Sequence, residues 1–210
     1  MANAAHVAHH FPDLETQRHA ARLGMWLFLA TEILLFAGLF TAYGVYRMLY
    51  PSAFEGASQL IETSMGALNT VVLITSSLTV ALAYHHAQDS RNGLAALLLV
   101  VTLAFGGVFL VVKYFEYAHH FHDGHLPGRF YTYPGLVVPG ASMFFTLYFL
   151  MTGLHGIHVV VGMAVLGWLA VGVWRGQVSG QNTTRLELGG MYWHLVDLIW
   201  IFLFPLLYLI

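Results

Sequence analysis

The sequence predicts an all-α, polytopic membrane protein, a bundle of five transmembrane helices, and three observations predict it. The composition is 58% hydrophobic and 9% charged, with a mean hydropathy of +0.69, against ~45–50% apolar and ~25% charged residues in soluble domains. Five apolar runs are each long enough to cross a hydrocarbon core, which takes roughly 20 residues at ~1.5 Å rise per residue. The polar stretches between them are too short to hold a soluble domain. The chain therefore divides into a cytoplasmic N-terminal tail at residues 1–22 and a single five-helix transmembrane domain at 23–210. The spans fall at about 23–48, 65–84, 94–117, 141–173 and 186–209. The chain has no cysteine, which excludes disulfides, thiolate catalysis and Cys-ligated zinc or iron–sulfur clusters. A formal net charge of -2 gives no nucleic-acid footprint, so no nucleic acid is expected as a partner.

The tail carries His6, His9, His10, His19, Arg18 and Arg22, and reads as a solvated segment running into a short interfacial helix. It has no apolar core and no small-residue cleavage site, so no secretory signal peptide is expected there. The first span, LGMWLFLATEILLFAGLF and onward, places Glu32 about nine residues, or ~13 Å, below its start, close to the bilayer midplane. Inserting a charged carboxylate at that depth costs at least ~2.5–3.5 kcal/mol, so the acid is protonated, paired inside the bundle, or turned to a polar cavity. Tyr43, Tyr46, Arg47, Tyr50 and Pro51 end the span as an interface and a stop. A short polar loop is expected from there to Thr63.

In the second span, Ser76, Ser77 and Thr79 are small hydroxyls suited to close helix packing or to bonding backbone carbonyls. The turn at 85–93 is short enough to force spans two and three into an antiparallel hairpin. Span three ends in VVKYFEYAHH, which sets Lys113 and Glu116 three residues apart on one face. The connection His119–Pro139 reads as an ordered interfacial loop, with His119, His120, His122 and His125 as a solvated cluster rather than metal ligands. Span four holds His155 and His158, and span five opens with His194 and Asp197, each pair again three residues apart.

Arg18, Arg22, Arg91, Arg175 and Arg185 lie on the N-terminal side, against Arg47 and Arg129 opposite, with Lys113 near that second side. The positive-inside rule then puts the N-terminus in the cytoplasm and the C-terminus outside. Thirteen histidines raise the question of haem ligation, which needs imidazoles facing a haem from inside the spans. Most fall at span ends, and His155 and His158 on one helix would not bracket a haem, so no metal site is expected. The three-residue pairs read instead as polar faces that meet and satisfy one another inside the bundle. The His155/His158 face is expected to meet an acid of a neighbouring helix, Glu116 being the nearest candidate. A carrier using Glu32 and Glu116 as coupling acids is the rival from another class. The absence of an inverted pair of broken helices weighs against it.

The strings ATEILLFAG, LNTVVLITSSLTVALAYHHA, KYFEY, LHGIHVVVG and YWHLVDLIWIFLFPLLYL resemble subunit III of the haem–copper oxidases. The match runs from about Arg22 to the C-terminus and is similar to the short, five-span bacterial form. The resemblance implies a non-redox accessory subunit of a cytochrome c oxidase in the bacterial cytoplasmic membrane. Haem and copper would sit in partner subunits, with this chain packed on the catalytic subunit I and associated with subunit II. It would bind phospholipid and support proton uptake and sustained turnover. By resemblance, Glu32, Glu116, His155, His158, His194 and Asp197 match the family's buried polar positions, and no residue is catalytic. The same resemblance extends to quinol oxidases and to five-span proteins of nitric oxide reductase systems.

Overall fold

The structure is a computed structural model, which describes residues 7–9, 11–178, 180 and 182–210. The tail residues His6 and His10 lie outside the described residues. The described chain is helical without strands: α1 (Leu14–Leu49), α2 (Pro51–Ser58), α3 (Thr63–Gln88), α4 (Asn92–Asp123), α5 (Ala141–Trp174) and α6 (Thr184–Tyr208). All but α2 are long and apolar enough to cross a membrane.

The expected interfacial helix and first span are one continuous element, α1. Its 36 residues reach about 54 Å, well beyond a hydrocarbon core. Asp13 starts it by accepting the Thr16 backbone N–H at 2.7 Å, which satisfies one of the orphan donors of the first turn. Leu29, Phe36 and Tyr43 are its buried residues, seven apart, with Met25, Leu39 and Tyr46 packed beside them. That 3-4 alternation is a heptad seam, the spacing that keeps one narrow stripe of a helix against its neighbours. Over its most apolar window α1 is 11% buried, against 56% for α6, so α1 lies at the edge of the bundle.

The expected polar loop after α1 is instead the short helix α2. Pro51 opens it, its fixed φ being suited to a first helical position. Ala53, Phe54 and Ala57 are buried, and Phe54 meets Tyr43 and Phe144 edge-on at 5.2 and 5.3 Å. Burial of this apolar face holds α2 under the end of α1.

Helices α3 and α4 form the expected hairpin, joined across their middle by Thr79 and Thr102 hydroxyls 2.7 Å apart. α4 runs past its predicted end to Asp123, where Gly124 at φ 82 closes it in the left-handed conformation. His119, His120 and His122 are therefore helical rather than part of the loop. The centre of the bundle lies among α3, α4, α5 and α6, filled by Trp193, Trp200, Phe109, Tyr148 and Met151. At Gly162 a Cβ would come within 2.8 Å of the Trp193 ring, so glycine there lets α5 and α6 close on the indole.

Candidate functional site

Three polar clusters occupy the spans. In the first, His158 Nε2 lies 2.8 Å from Glu32 Oε2, joining α5 to α1. His158 Nδ1 faces the Leu154 carbonyl at 2.7 Å and so carries its proton, because a carbonyl can only accept. The Nε2 atom then either accepts a hydrogen bond from a protonated Glu32 or donates one to its carboxylate. The two forms differ by the transfer of one proton across a single hydrogen bond. The side chains are 13% and 17% exposed, so the pair sits at the rim of the bundle.

The expected partner of the histidine face is thus corrected: Glu32, not Glu116, meets His158. The reason is rotational, since residues three apart on a helix point about 60° apart. His158 turns to α1, whereas His155 turns inward against Phe109 and Trp200, with ring centroids at 5.4 and 5.3 Å. Neither ring nitrogen of His155 has a hydrogen-bond partner among the described residues.

The second cluster is built on α4. Lys113 Nζ stands 3.1 Å from Glu116 Oε2 and donates to the hydroxyls of Tyr148 and Tyr208 at 2.9 and 3.0 Å. Those hydroxyls donate in turn to Glu116 Oε1 at 2.5 and 2.6 Å. The ion pair is closed within itself by two tyrosines, one from α5 and one from α6. Three helices meet there on one polar cluster, in which Glu116 Oε2 has the Lys113 ammonium beside it and no hydrogen-bond partner among the described residues.

The third cluster joins α3 and α6. Ser77 Oγ and His194 Nδ1 are 2.6 Å apart. Ser76 Oγ accepts Trp193 Nε1–H at 3.0 Å and donates to the Leu73 carbonyl at 2.7 Å. Its 3.5 Å separation from Asp197 Oδ2 is a weak contact by comparison. Asp197 Oδ1 is buried with no partner among the described residues. Ser76 thus bonds a backbone carbonyl as expected, and the two serines are in addition the α3 partners of the His194/Asp197 face.

Two further features escaped the sequence. His120 and His125 are both buried, with Nδ1 atoms 3.1 Å apart, and His125 stacks on Phe145 at 4.7 Å and 0°. Burial holds the His125 imidazole below its usual pKa, opposed by the nearby Asp123 charge. The expected solvated cluster is therefore split, because only His119 and His122 remain outside, against Asp123. The helix-stop glycine Gly124, directly after these polar residues, was the available signal. Arg22 and Glu187 form a two-pronged ion pair, Nε–Oε1 2.8 Å and Nη2–Oε2 3.0 Å. It ties the start of α1 to the start of α6, and nothing local in the sequence announces it.

An apolar groove of about 430 Å³ runs between α1, α5 and α6, lined by Met25, Phe28, Val165, Trp168 and Tyr192, with Arg185 at its rim. A recess that shares Trp168 and Arg185 with it adds Arg175. Among the described residues no three His, Asp or Glu side chains are grouped to hold a metal ion.

Five apolar helices that enclose paired acids and bases define a polytopic integral membrane protein with its polar groups used inside the bundle. Residues 3–210 match the family described as cytochrome c oxidase subunit III, and the chain belongs to that family, subunit III of the haem–copper oxidases. Subunit III carries no redox cofactor of its own and works within an oxidase complex. The chain is similar to cytochrome bo(3) ubiquinol oxidase subunit 3 of Pseudomonas aeruginosa, 28% identical over 209 residues, covering 100% of this chain and 94% of that one. It is also similar to a probable quinol oxidase subunit 3 of Staphylococcus aureus, 25% identical over 207 residues and 97% of both chains.

Proposed function

We propose that this chain is the subunit III of a bacterial terminal oxidase that reduces oxygen to water with electrons from a quinol. The observation that carries the quinol donor is the pair of full-length relatives named for quinol oxidases. Cytochrome c as donor is the second reading, favoured by the family description over residues 3–210. Subunit I and subunit II hold the haem and copper, and this chain packs on subunit I in the inner membrane. Its N-terminus is cytoplasmic and its C-terminus is outside.

Within that complex, Glu32 and His158 hold a proton at the bundle rim, where one short hydrogen bond connects an acid and a base. The groove between α1, α5 and α6, with Arg175 and Arg185 at one end, takes a phospholipid: guanidinium groups suit its phosphate and apolar walls its acyl chain. Glu116 with Lys113, together with His155, His194 and Asp197, fix the mutual setting of the helices on which that rim depends.

The test is purification of the complex in mild detergent through a tag on this chain, followed by an absorption spectrum and oxygen-uptake assays. Haem bands with turnover on ubiquinol and none on reduced cytochrome c are expected. Turnover on cytochrome c alone would replace the quinol assignment, and a haem-free preparation that keeps the chain folded would overturn the proposal.

A further inference from the structure

His194 stands ten residues into α6, ~15 Å from the start of that helix, yet its side chain is exposed on a face that meets hydrocarbon in the membrane. A titratable group at such depth turns inward or toward a cavity. The cavity here is a hollow of about 200 Å³ between α3 and α6, lined by Val80, Ala81, Tyr84, Gly190, Met191 and His194. At Gly190 a Cβ would meet nothing within 4 Å, so one wall of the hollow is bare backbone.

Two polar side chains stand behind the imidazole. His194 Nδ1 is 2.6 Å from Ser77 Oγ, and Ser77 also faces the Asp197 carboxyl, whose Oδ1 is buried with no partner among the described residues. Nε2 is the nitrogen left for the hollow, and the proton content of this line decides what it offers. With Asp197 ionised, Ser77 donates to the carboxylate and Nδ1–H donates to Ser77, so Nε2 presents a lone pair. With Asp197 protonated, the carboxyl donates to Ser77, Ser77 donates to Nδ1, and Nε2 presents an N–H. At the interfacial end of the hollow, Tyr84 accepts from Gln88 at 2.8 Å and keeps its own hydroxyl proton to give. Tyr84 and Ser77 lie two turns, ~10.5 Å, apart along α3, which leaves room for a six-membered ring with a hydrogen bond at each end.

A phospholipid does not match this line, because its phosphate stays at the membrane surface and its acyl chain cannot bond an imidazole. The matching ligand is a membrane-soluble ring that carries hydroxyls in one form and carbonyls in the other. We infer that the α3/α6 hollow binds the head group of a membrane benzoquinone or its quinol, one ring oxygen on His194 Nε2 and the other on Tyr84. A quinol hydroxyl donates to Nε2 when Asp197 is ionised, and a quinone carbonyl accepts from Nε2–H when Asp197 is protonated. The isoprenoid tail leaves through the open side of the hollow into the lipid. The site depends on the membrane-embedded fold and a quinone pool, not on quinol being the electron donor of the complex.

The experiment is photolabelling of the tag-purified complex, in mild detergent without oxygen, with an azido-ubiquinone, read by peptide mass on this chain. The parent should carry label on the peptides of residues 77–84 and 187–194, and decylubiquinone, oxidised or reduced, should remove it. His194→Phe keeps a ring without its nitrogens and should lower the label about fivefold, the worth of one hydrogen bond. Gly190→Leu should abolish it by filling the hollow. An unlabelled parent, as when a neighbouring subunit covers His194, would overturn the assignment. So would equal label on the parent and His194→Phe, or label that phosphatidylcholine removes as well as decylubiquinone does. If these variants do not assemble, Tyr84→Phe decides: loss of one hydroxyl should lower the label about fivefold, and unchanged label rules the site out. Because the readout is label on this chain and not turnover, a complex that oxidises only cytochrome c would replace the quinol donor and leave this site standing.

Discussion

Glu32 Oε2 and His158 Nε2 face each other at 2.8 Å across α1 and α5, 126 residues apart in the chain, and the Leu154 carbonyl fixes which nitrogen of the imidazole is turned toward the acid. This bond sits on the heptad seam, between Leu29 and Phe36. α1 is joined to the bundle at three levels: Arg22 to Glu187, Glu32 to His158, and Tyr43 Oη to the Leu206 carbonyl at 2.6 Å.

Glu32→Gln keeps an amide N–H that can donate to His158 Nε2, so the variant should assemble with near-normal initial oxygen uptake. His158→Leu removes the partner and leaves a carboxyl in an apolar rim, at about 0.6–1.7 kcal/mol by the range found for polar pairs between membrane helices. Subunit III content of the purified complex and its turnover lifetime are the measurements. Equal loss in both variants would mean that charge, and not the hydrogen bond, matters at this position.

Lys113 and Glu116 should show the opposite pattern, a strong penalty for either single change. Both side chains are buried, at 7% and 3% exposure, and removing one partner strands the other charge at a cost of about 3–5 kcal/mol. Lys113→Met and Glu116→Gln should each lower the thermal midpoint of the detergent-solubilised subunit, and the double variant should recover most of the loss. Additive losses would show that the two residues act separately.

The Lys113/Glu116 pair could be read from sequence because a three-residue step along one helix is local, and so could the place of Glu32 inside a long apolar helix. Its partner could not: the azimuth of α5 is set by Trp193 against Gly162 and by Trp200 against His155, contacts between distant segments. The same holds for Arg22 with Glu187, 165 residues apart. Ser76 and Ser77 carry no local mark that separates a packing hydroxyl from a hydrogen-bond partner of α6. His120 differs in kind, since the polar composition of HHFHD suits a loop while Gly124 as a helix stop carries α4 through it.

Packing around Trp193 gives a contrast between two glycines of one helix. Gly162→Ala places a methyl group 2.8 Å from the indole of a fully buried tryptophan, and overpacking of this kind costs about 1–3 kcal/mol. At Gly156 a Cβ meets nothing within 4 Å, so Gly156→Ala should be neutral or slightly stabilising through helix propensity. Thermal midpoints of the two variants, measured in the same detergent, check this. A destabilised Gly156→Ala would reveal a neighbouring subunit lying against that face.

His125 makes stability depend on pH in a stated direction. Burial against Phe145 and Tyr133 lowers its folded pKa beneath the ordinary 6.5, with the Asp123 charge opposing the shift and His119 adding to it. Between the folded and unfolded values the unfolded chain binds the extra proton, so stability rises with pH in that window. Stability present above about pH 6.5 should therefore be lost as the pH falls below it. His125→Phe keeps a ring stacked on Phe145 and cannot titrate, so its thermal midpoint should fall less than the parent's between pH 7.5 and pH 5.5. His119 and His122 are exposed beside Asp123 and remain in both proteins, as does His120, whose Nδ1 faces that of His125. A parallel fall in the two proteins would assign the pH dependence to groups other than this buried histidine.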